Sequence, residues 1–332
     1  MTTSFSSIGI VGAGAWGTAL ALALGRTGRT ITLWTRRPAL EATIIEDRAN
    51  VVYLPGATLG NDVHITSDLK ALSSCQAIIL ATPAQYLRAT CKELAPHCGK
   101  HQPLVIAAKG IELTTHRLMS EVVAAELPEH PLFILSGPSF ATEVAKNLPT
   151  ALTLAGETDG EDLAQALSSP MLRLYTTDDI IGTQIGGAIK NVLAIACGII
   201  AGRALGENAR AALITRGLAE MIRLGTALGA RPETLTGLSG LGDVVLTCSS
   251  NQSRNTSLGF ALGQGKNLNE ILASRTSVTE GISTAAATLG LANRHGIDMP
   301  VVSAVDMILR EQASIDDIIS GLMARPLRNE AA

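Results

Sequence analysis

Aromatic residues are scarce in this chain of 332 residues, at 3% for Phe, Trp and Tyr together. That leaves little material for a platform on which nucleic-acid bases stack. Charge is also thin, at 17% of residues with a formal net charge of −3, so neither nucleic acid nor an acidic membrane surface is an expected partner. The five cysteines, Cys75, Cys91, Cys98, Cys197 and Cys248, are odd in number and form no C-x-x-C pair. They read as reduced thiols of a cytoplasmic protein. No metal site is expected. No basic region precedes an apolar stretch at the start, and no run reaches the ~18 apolar residues of a membrane span. Secretion and stable membrane insertion are therefore not expected. What is abundant is apolar: 46% hydrophobic residues exclude disorder, and the length suffices for two domains with ample cores.

The first thirty residues carry the sharpest signal. Ser7-Ile8-Gly9-Ile10-Val11 is a short β-prone run, Gly12-Ala13-Gly14-Ala15-Trp16-Gly17 a glycine-rich turn, and Thr18 to Leu24 an Ala/Leu helix. Strand, G-x-G-x-x-G and helix in that order form the dinucleotide fingerprint in its required context. Gly12 allows the tight turn, Gly14 the approach of a pyrophosphate, and Gly17 close helix–strand packing. The N–H groups at the new helix start face the phosphates.

The second strand, Thr30-Ile31-Thr32-Leu33-Trp34, runs out into Thr35-Arg36-Arg37-Pro38, with no acid before Glu41. An NAD-selective site places Asp or Glu about 20 residues after the glycines to accept from the ribose 2′-OH. Two guanidinium forks suit a 2′-phosphate instead. Arg36 and Arg37 thus favour NADP(H) over NAD(H), with solvated arginines at a helix start as the alternative.

Further runs follow at Val63–Ile65, Gln76–Ala81, Pro103–Ala108, Leu132–Ser136, Ala151–Ala155 and Leu172–Tyr175, with helical stretches such as Ala84 to Leu94 and Arg117 to Leu127 between. Apolar strands alternating with helices predict a mostly parallel, doubly wound α/β sheet of Rossmann type. From Asp178 onward strand-like runs stop and helical spacing takes over. The expectation is a Rossmann NAD(P)-binding domain over 1–177 and an all-α domain over 178–332.

Ligands of such sheets bind outside the carboxyl ends of the strands, so chemistry is expected at the strand exits. Ala107-Ala108-Lys109-Gly110 places a cation at that edge, unless Lys109 is a loop lysine in water. Ser136-Gly137-Pro138-Ser139 offers an anion contact, unless Ser139 merely caps a helix. In the helical half, Lys190-Asn191 interrupts the apolar stripe Ile185, Ile189, Val192, Leu193 beside Gly186, Gly187 and Ala194. Small neighbours admit another backbone or a ligand, and burial lowers a lysine pKa toward the range of acid–base catalysis. Snorkelling to solvent is the alternative. Asp243 and Thr247 are four apart and share a helix face. Asn251-Gln252-Ser253-Arg254-Asn255 is polar in an apolar domain, either a phosphate clamp or a solvated loop.

These segments, with Asn208-Ala209-Arg210-Ala211-Ala212, Leu241-Gly242-Asp243 and Glu280-Gly281, resemble the bacterial glycerol-3-phosphate dehydrogenases in order along nearly the whole chain. The resemblance implies NAD(P)H-dependent reduction of dihydroxyacetone phosphate to sn-glycerol 3-phosphate, the entry to phospholipid synthesis. It implies Lys190 as the catalytic acid/base, and Lys109, Gly137, Ser139, Asp243, Ser253, Arg254 and Asn255 as holding the triose phosphate. Asn191 joins that set beside Lys190, which it would orient together with Asp243. Trp16, Arg36, Arg37, Lys109, Ala141, Arg254, Val278 and Glu280 would contact the cofactor along with Gly12, Gly14, Ala15 and Gly17. Many members carry Ser where this chain has Ala15, so one hydroxyl contact to a phosphate is missing here. Two rivals differ in class. A hydroxyacid-type dehydrogenase would need a further carboxylate-binding pattern, which is not seen. A non-catalytic NADP(H)-sensing regulator would have no need of Lys190, Asp243 and Arg254 together. A homodimer stays open.

Overall fold

The computed structural model describes residues 5–157, 160–275 and 278–326. The strands are β1 (Ser7–Val11), β2 (Thr30–Trp34), β3 (Val63–Thr66), β4 (Ala77–Leu80), β5 (Leu104–Ile106), β6 (Leu132–Ser136), β7 (Thr150–Gly156) and β8 (Leu172–Thr177). They form one sheet in the order β3-β2-β1-β4-β5-β6-β7-β8. The order reverses direction between β1 and β4, the place where dinucleotides bind in such sheets. All neighbours are parallel except β6 and β7. Expected strands are found at each apolar run, because a strand covered on both faces reads as a continuous apolar run.

The helices of this half are α1 (Ala15–Gly25), α2 (Pro38–Asp47), α3 (Leu87–Leu94), α4 (Met119–Glu126), α5 (Ala141–Ala145) and α6 (Glu161–Leu167). The stretch expected to be helical from Ala84 begins as a 3-10 turn, Ala84–Tyr86, before α3. Two cores flank the sheet, one around Ile8, Ile10, Leu20 and Leu33, the other around Ile78, Leu80, Leu87 and Val122.

No strand follows β8 among the described residues. The chain continues as α7 (Ile180–Gly202), α8 (Glu207–Ala227), α9 (Pro232–Leu235), α10 (Asp243–Cys248), α11 (Arg254–Gly263), α12 (Leu268–Ala273), α13 (Gly281–Arg294), α14 (Pro300–Leu309) and α15 (Ile315–Met323). A π turn, Leu238–Gly242, leads into α10. Helix α7 has 23 residues with a mean hydropathy of 1.7 over its most apolar window, long and apolar enough to cross a membrane. It is instead the buried axis of the helical half, packed against α8, α10, α11 and α13. Its glycines permit this. A Cβ on Gly198 would lie 2.1 Å from the Thr256 carbonyl oxygen of α11, and one on Gly186 would lie 2.4 Å from that of Ser239. All five cysteines are free, and all but Cys98 are buried.

Candidate active site

The turn after β1 has the geometry that its glycines require. Gly12 has φ +119°, a conformation unfavourable for side-chain-bearing residues. A Cβ on Gly17 would sit 2.0 Å from the Gly12 oxygen, while one on Gly14 would meet nothing within 4 Å. Gly14 is the N-cap of α1 and offers no side chain to the first turn, so the N–H groups of Ala15, Trp16 and Gly17 are left without a capping acceptor. Behind the turn, buried Asn50 donates to the Ala13 oxygen at 2.9 Å and to Thr18 Oγ1 at 2.8 Å. Trp16 Nε1 and, at the β4 exit, Thr82 Oγ1 are buried polar atoms without a hydrogen-bond partner. An open cradle of N–H donors with two unpaired groups beside it fits a dinucleotide.

Arg36 and Arg37 are exposed at the β2 exit. The Arg36 guanidinium stands 5.8 Å from the Tyr86 ring centre, and that of Arg37 stands 5.3 Å from the Tyr53 ring and donates to its hydroxyl at 2.8 Å. No carboxylate pairs with either arginine among the described residues. The tyrosines, which sequence reasoning missed, hold both cations at the sheet edge.

The charged centre lies where α7 meets the exits of β5 and β6. Lys190 Nζ donates to Asp243 Oδ1 at 2.6 Å and to Thr247 Oγ1 at 3.0 Å, and Thr247 donates to the same carboxylate oxygen at 3.2 Å. Lys109 Nζ donates to the other oxygen, Asp243 Oδ2, at 2.6 Å and to the Gly137 carbonyl at 3.0 Å. Asp243 is fully buried and Lys190 nearly so. Burial draws the Lys190 ammonium down from 10.5 to about 8, with the Lys109 charge adding to the fall and Asp243 and Glu280 opposing it. One carboxylate thus holds two ammonium groups, leaving a net positive pair at the sheet edge. Lys109 is neither a free loop lysine nor Lys190 a snorkelling one. Cys248 lies nearby, its thiol pushed well above the usual range by a hydrogen bond with Cys197 and by burial. A protonated thiol is a poor nucleophile.

Two expectations are corrected. Asn191 does not reach Lys190. Adjacent helix residues face different directions, and the Asn191 Oδ1 accepts from Asn255 Nδ2 at 2.9 Å instead. Nor does Ser139 cap a helix: α5 begins at Ala141 with Phe140 at its N-cap, and Ser139 Oγ donates to the Gly137 oxygen at 3.3 Å. Gly137 itself has φ +135°, which turns the chain out of β6 so that its carbonyl meets Lys109.

Helix α11 opens on the polar segment. Ser253 caps it by accepting from the Thr256 N–H at 3.2 Å, Arg254 is its exposed first residue, and Asn255 is buried. Gln252 joins this segment to α5, accepting from Thr142 at 3.2 Å and donating to Glu143 at 3.3 Å. Glu280 accepts from the Ala84 N–H at 3.3 Å. Burial raises its carboxyl above the usual range against the pull of Arg254 and that N–H. Val278 is exposed beside it, and Ala141 is half-buried at the start of α5.

Taken together, the switch-point cradle and the buried Lys–Asp–Lys cluster define a dinucleotide-dependent oxidoreductase in two parts, a Rossmann-type sheet and a helical half. Comparison narrows the class. Residues 7–161 match the NAD-dependent glycerol-3-phosphate dehydrogenase N-terminus and residues 179–320 its C-terminus. The chain belongs to the NAD-dependent glycerol-3-phosphate dehydrogenase family. It is 48% identical over 332 residues to an enzyme of Parvibaculum lavamentivorans and 50% identical over 330 residues to one of Caulobacter vibrioides, covering 99% of this chain and 100% of each relative. Both relatives are named glycerol-3-phosphate dehydrogenase (NAD(P)+). The crystal structure of glycerol-3-phosphate dehydrogenase from Coxiella burnetii superposes with a TM-score of 0.93 at 41% identity, covering 96% of this chain and 99% of that one.

Proposed function

We propose that this chain reduces dihydroxyacetone phosphate to sn-glycerol 3-phosphate with NADPH or NADH, in a reversible reaction that feeds glycerophospholipid synthesis. The observation that carries the reading is the Lys190–Asp243–Lys109 cluster at the carboxyl edge of the sheet, beside the glycine-rich cradle. The division of labour follows a boundary near Thr177, with the sheet domain holding cofactor and the helices holding substrate. Arg36 and Arg37 take the 2′-phosphate, and the first-turn N–H groups of α1 the pyrophosphate.

A bound reduced nicotinamide supplies the hydride that goes to the ketone carbon. The chain supplies the proton. Lys190 donates it from Nζ to the carbonyl oxygen, where negative charge develops. Asp243 restrains both ammonium groups, so neither must reorganise as that charge appears. Lys109 adds positive potential. The α11 N-terminus with Arg254, and the N–H groups of the Gly137–Ser139 turn, hold the phosphate. That remote binding energy fixes the ketone for reaction, and closure of the helical half over the sheet excludes water. The chemistry calls for a small-molecule substrate alone. A cytoplasmic location and a homodimer complete the reading.

The test is an assay of the purified chain that follows nicotinamide oxidation by its near-ultraviolet absorbance. Turnover with dihydroxyacetone phosphate, and little with dihydroxyacetone or 2-oxo acids, is the expected result. Efficient turnover of a 2-oxo acid, or none with any ketone despite cofactor binding, overturns it.

A further inference from the structure

Arg275 follows α12 and belongs to none of the clusters described so far. Its Nη1 donates to the Arg254 carbonyl at 2.7 Å and its Nη2 to Ser257 Oγ at 3.1 Å, while Ser257 Oγ donates to the same Arg254 carbonyl at 3.1 Å. The three bonds close a ring over the first turn of α11. The same Nη1 reaches Thr279 Oγ1 at 3.5 Å, and Thr279 stands between Val278 and Glu280. One planar guanidinium therefore joins the turn that presents Arg254 to the segment that docks through Glu280 on the β4 exit. A second tie runs parallel to it, since Asn255 Oδ1 accepts from the Gly281 N–H at 3.1 Å.

Arg275 is held in spite of its charge. Burial, and then the neighbouring Arg254 cation, both disfavour the guanidinium. Among the described residues no carboxylate is paired with Arg254 or Arg275. Two guanidinium groups meet over the first turn of a ten-residue helix, with Glu280 acting on Arg254 only from beyond ion-pair distance, an arrangement tolerable where an anion belongs.

We propose that Arg275 is a positioning residue that locks the first turn of α11 and the Val278–Glu280 segment into one unit, so that substrate phosphate and cofactor are bound by parts that keep a common register. The inference rests on the reading of Arg254 as the phosphate clamp. Arg275 acts through the Arg254 main chain and touches neither ligand. A lysine cannot take its place, because a single ammonium lacks the planar fork that reaches a carbonyl and a hydroxyl at once.

The test compares the whole chain with Arg275→Lys and Arg275→Gln, measuring kcat and KM for dihydroxyacetone phosphate, NADPH binding without substrate by fluorescence, and Tm. Both variants should raise KM for the substrate and Kd for NADPH roughly tenfold, the worth of one charge-assisted contact. The kcat and its pH profile should stay as in the wild type, because Lys190 is untouched. Rescue of both constants by Arg275→Lys shows that charge alone matters and overturns the proposal. A lower Tm with unchanged KM and Kd overturns it as merely structural, and a rise in only one of the two constants overturns the coupling. Should the Arg275 variants not fold, Ser257→Ala breaks the same ring on a half-exposed helix position and should move both constants in the same direction. If the wild type binds NADPH but does not reduce dihydroxyacetone phosphate, the functional reading fails, while the NADPH arm still tests the hold on Val278–Glu280.

Discussion

Lys190 is held by opposing forces: burial lowers its pKa to about 8, and the Asp243 contact at 2.6 Å keeps it from falling further. A donor near the working pH transfers its proton most effectively. The ammonium form is needed for ketone reduction, so reduction should hold below about 8 and fall above it. The reverse oxidation needs the neutral amine and should rise through the same pH. Equal profiles in both directions would remove Lys190 from the proton transfer. Lys190→Ala should lower kcat roughly 10²–10⁴-fold with NADPH affinity little changed, as stopped-flow turnover and fluorescence binding would read. At the other end of the cofactor cradle, replacing both Arg36 and Arg37 by Ala should raise KM for NADPH far more than for NADH. Each lost charge-assisted contact to the 2′-phosphate costs about 1.5–3 kcal/mol. An unchanged NADPH/NADH ratio would show that neither arginine reads that phosphate.

At the scale of elements, α11 combines a capped N-terminus, an exposed arginine and main-chain N–H groups in one turn. With that turn holding the substrate phosphate, Arg254→Ala should cut kcat/KM for dihydroxyacetone phosphate while barely affecting dihydroxyacetone. A site built for a charge leaves its own groups unpaired when the charge is missing. Equal losses on both substrates, with NADPH affinity unchanged, would rule out the clamp. The elements themselves were largely readable beforehand. Strand β2 falls on Thr30–Trp34 as its apolar run suggested, and the change of texture after Thr177 marks the last strand. The reversal of β7 was not readable, because the side-chain pattern of a strand is the same whichever way the chain runs. The connection from Ser136 to Thr150 holds only the five-residue α5, but its length of about a dozen residues suits a parallel crossover as well as an antiparallel return. The position of Lys190 was visible in its small neighbours, since they left room for Ser239 and Ser136 to close over α7. Asn50, Glu220 and Arg275 gave no signal. Their partners lie 37, 81 and 21 positions away, and no local pattern foretells a long-range hydrogen bond.

Across the whole molecule the two halves are joined by polar ties: Lys109 to Asp243, Ala84 to Glu280, and Gln252 to Thr142 and Glu143. The helical half has a polar anchor of its own. Glu220 of α8 is almost fully buried and caps α14 from a distance, accepting from the Val301 N–H at 2.8 Å and the Val302 N–H at 3.2 Å. Helix α14 begins with Pro300 after an apolar N-cap, Met299, so it has no side-chain cap of its own. Burial raises the Glu220 carboxyl from 4.5 to about 7, against the two N–H donors and Arg223, with Asp298 adding to the rise. In the unfolded chain the group ionises at its ordinary pKa, so between 4.5 and about 7 the folded state binds the proton that the unfolded state has lost. Stability from this group is complete below 4.5, declines as pH rises, and is lost once pH passes about 7. The full span is worth roughly 3 kcal/mol. Glu220→Gln keeps an acceptor for one N–H and cannot ionise. The variant should therefore lie nearest the wild type at low pH, where Glu220 is protonated, and gain on it as pH rises toward and past about 7, as read by Tm or urea midpoints over that range. A constant difference between the two proteins across the range would show that Glu220 is ionised throughout and acts only as a fixed charge at the α14 N-terminus.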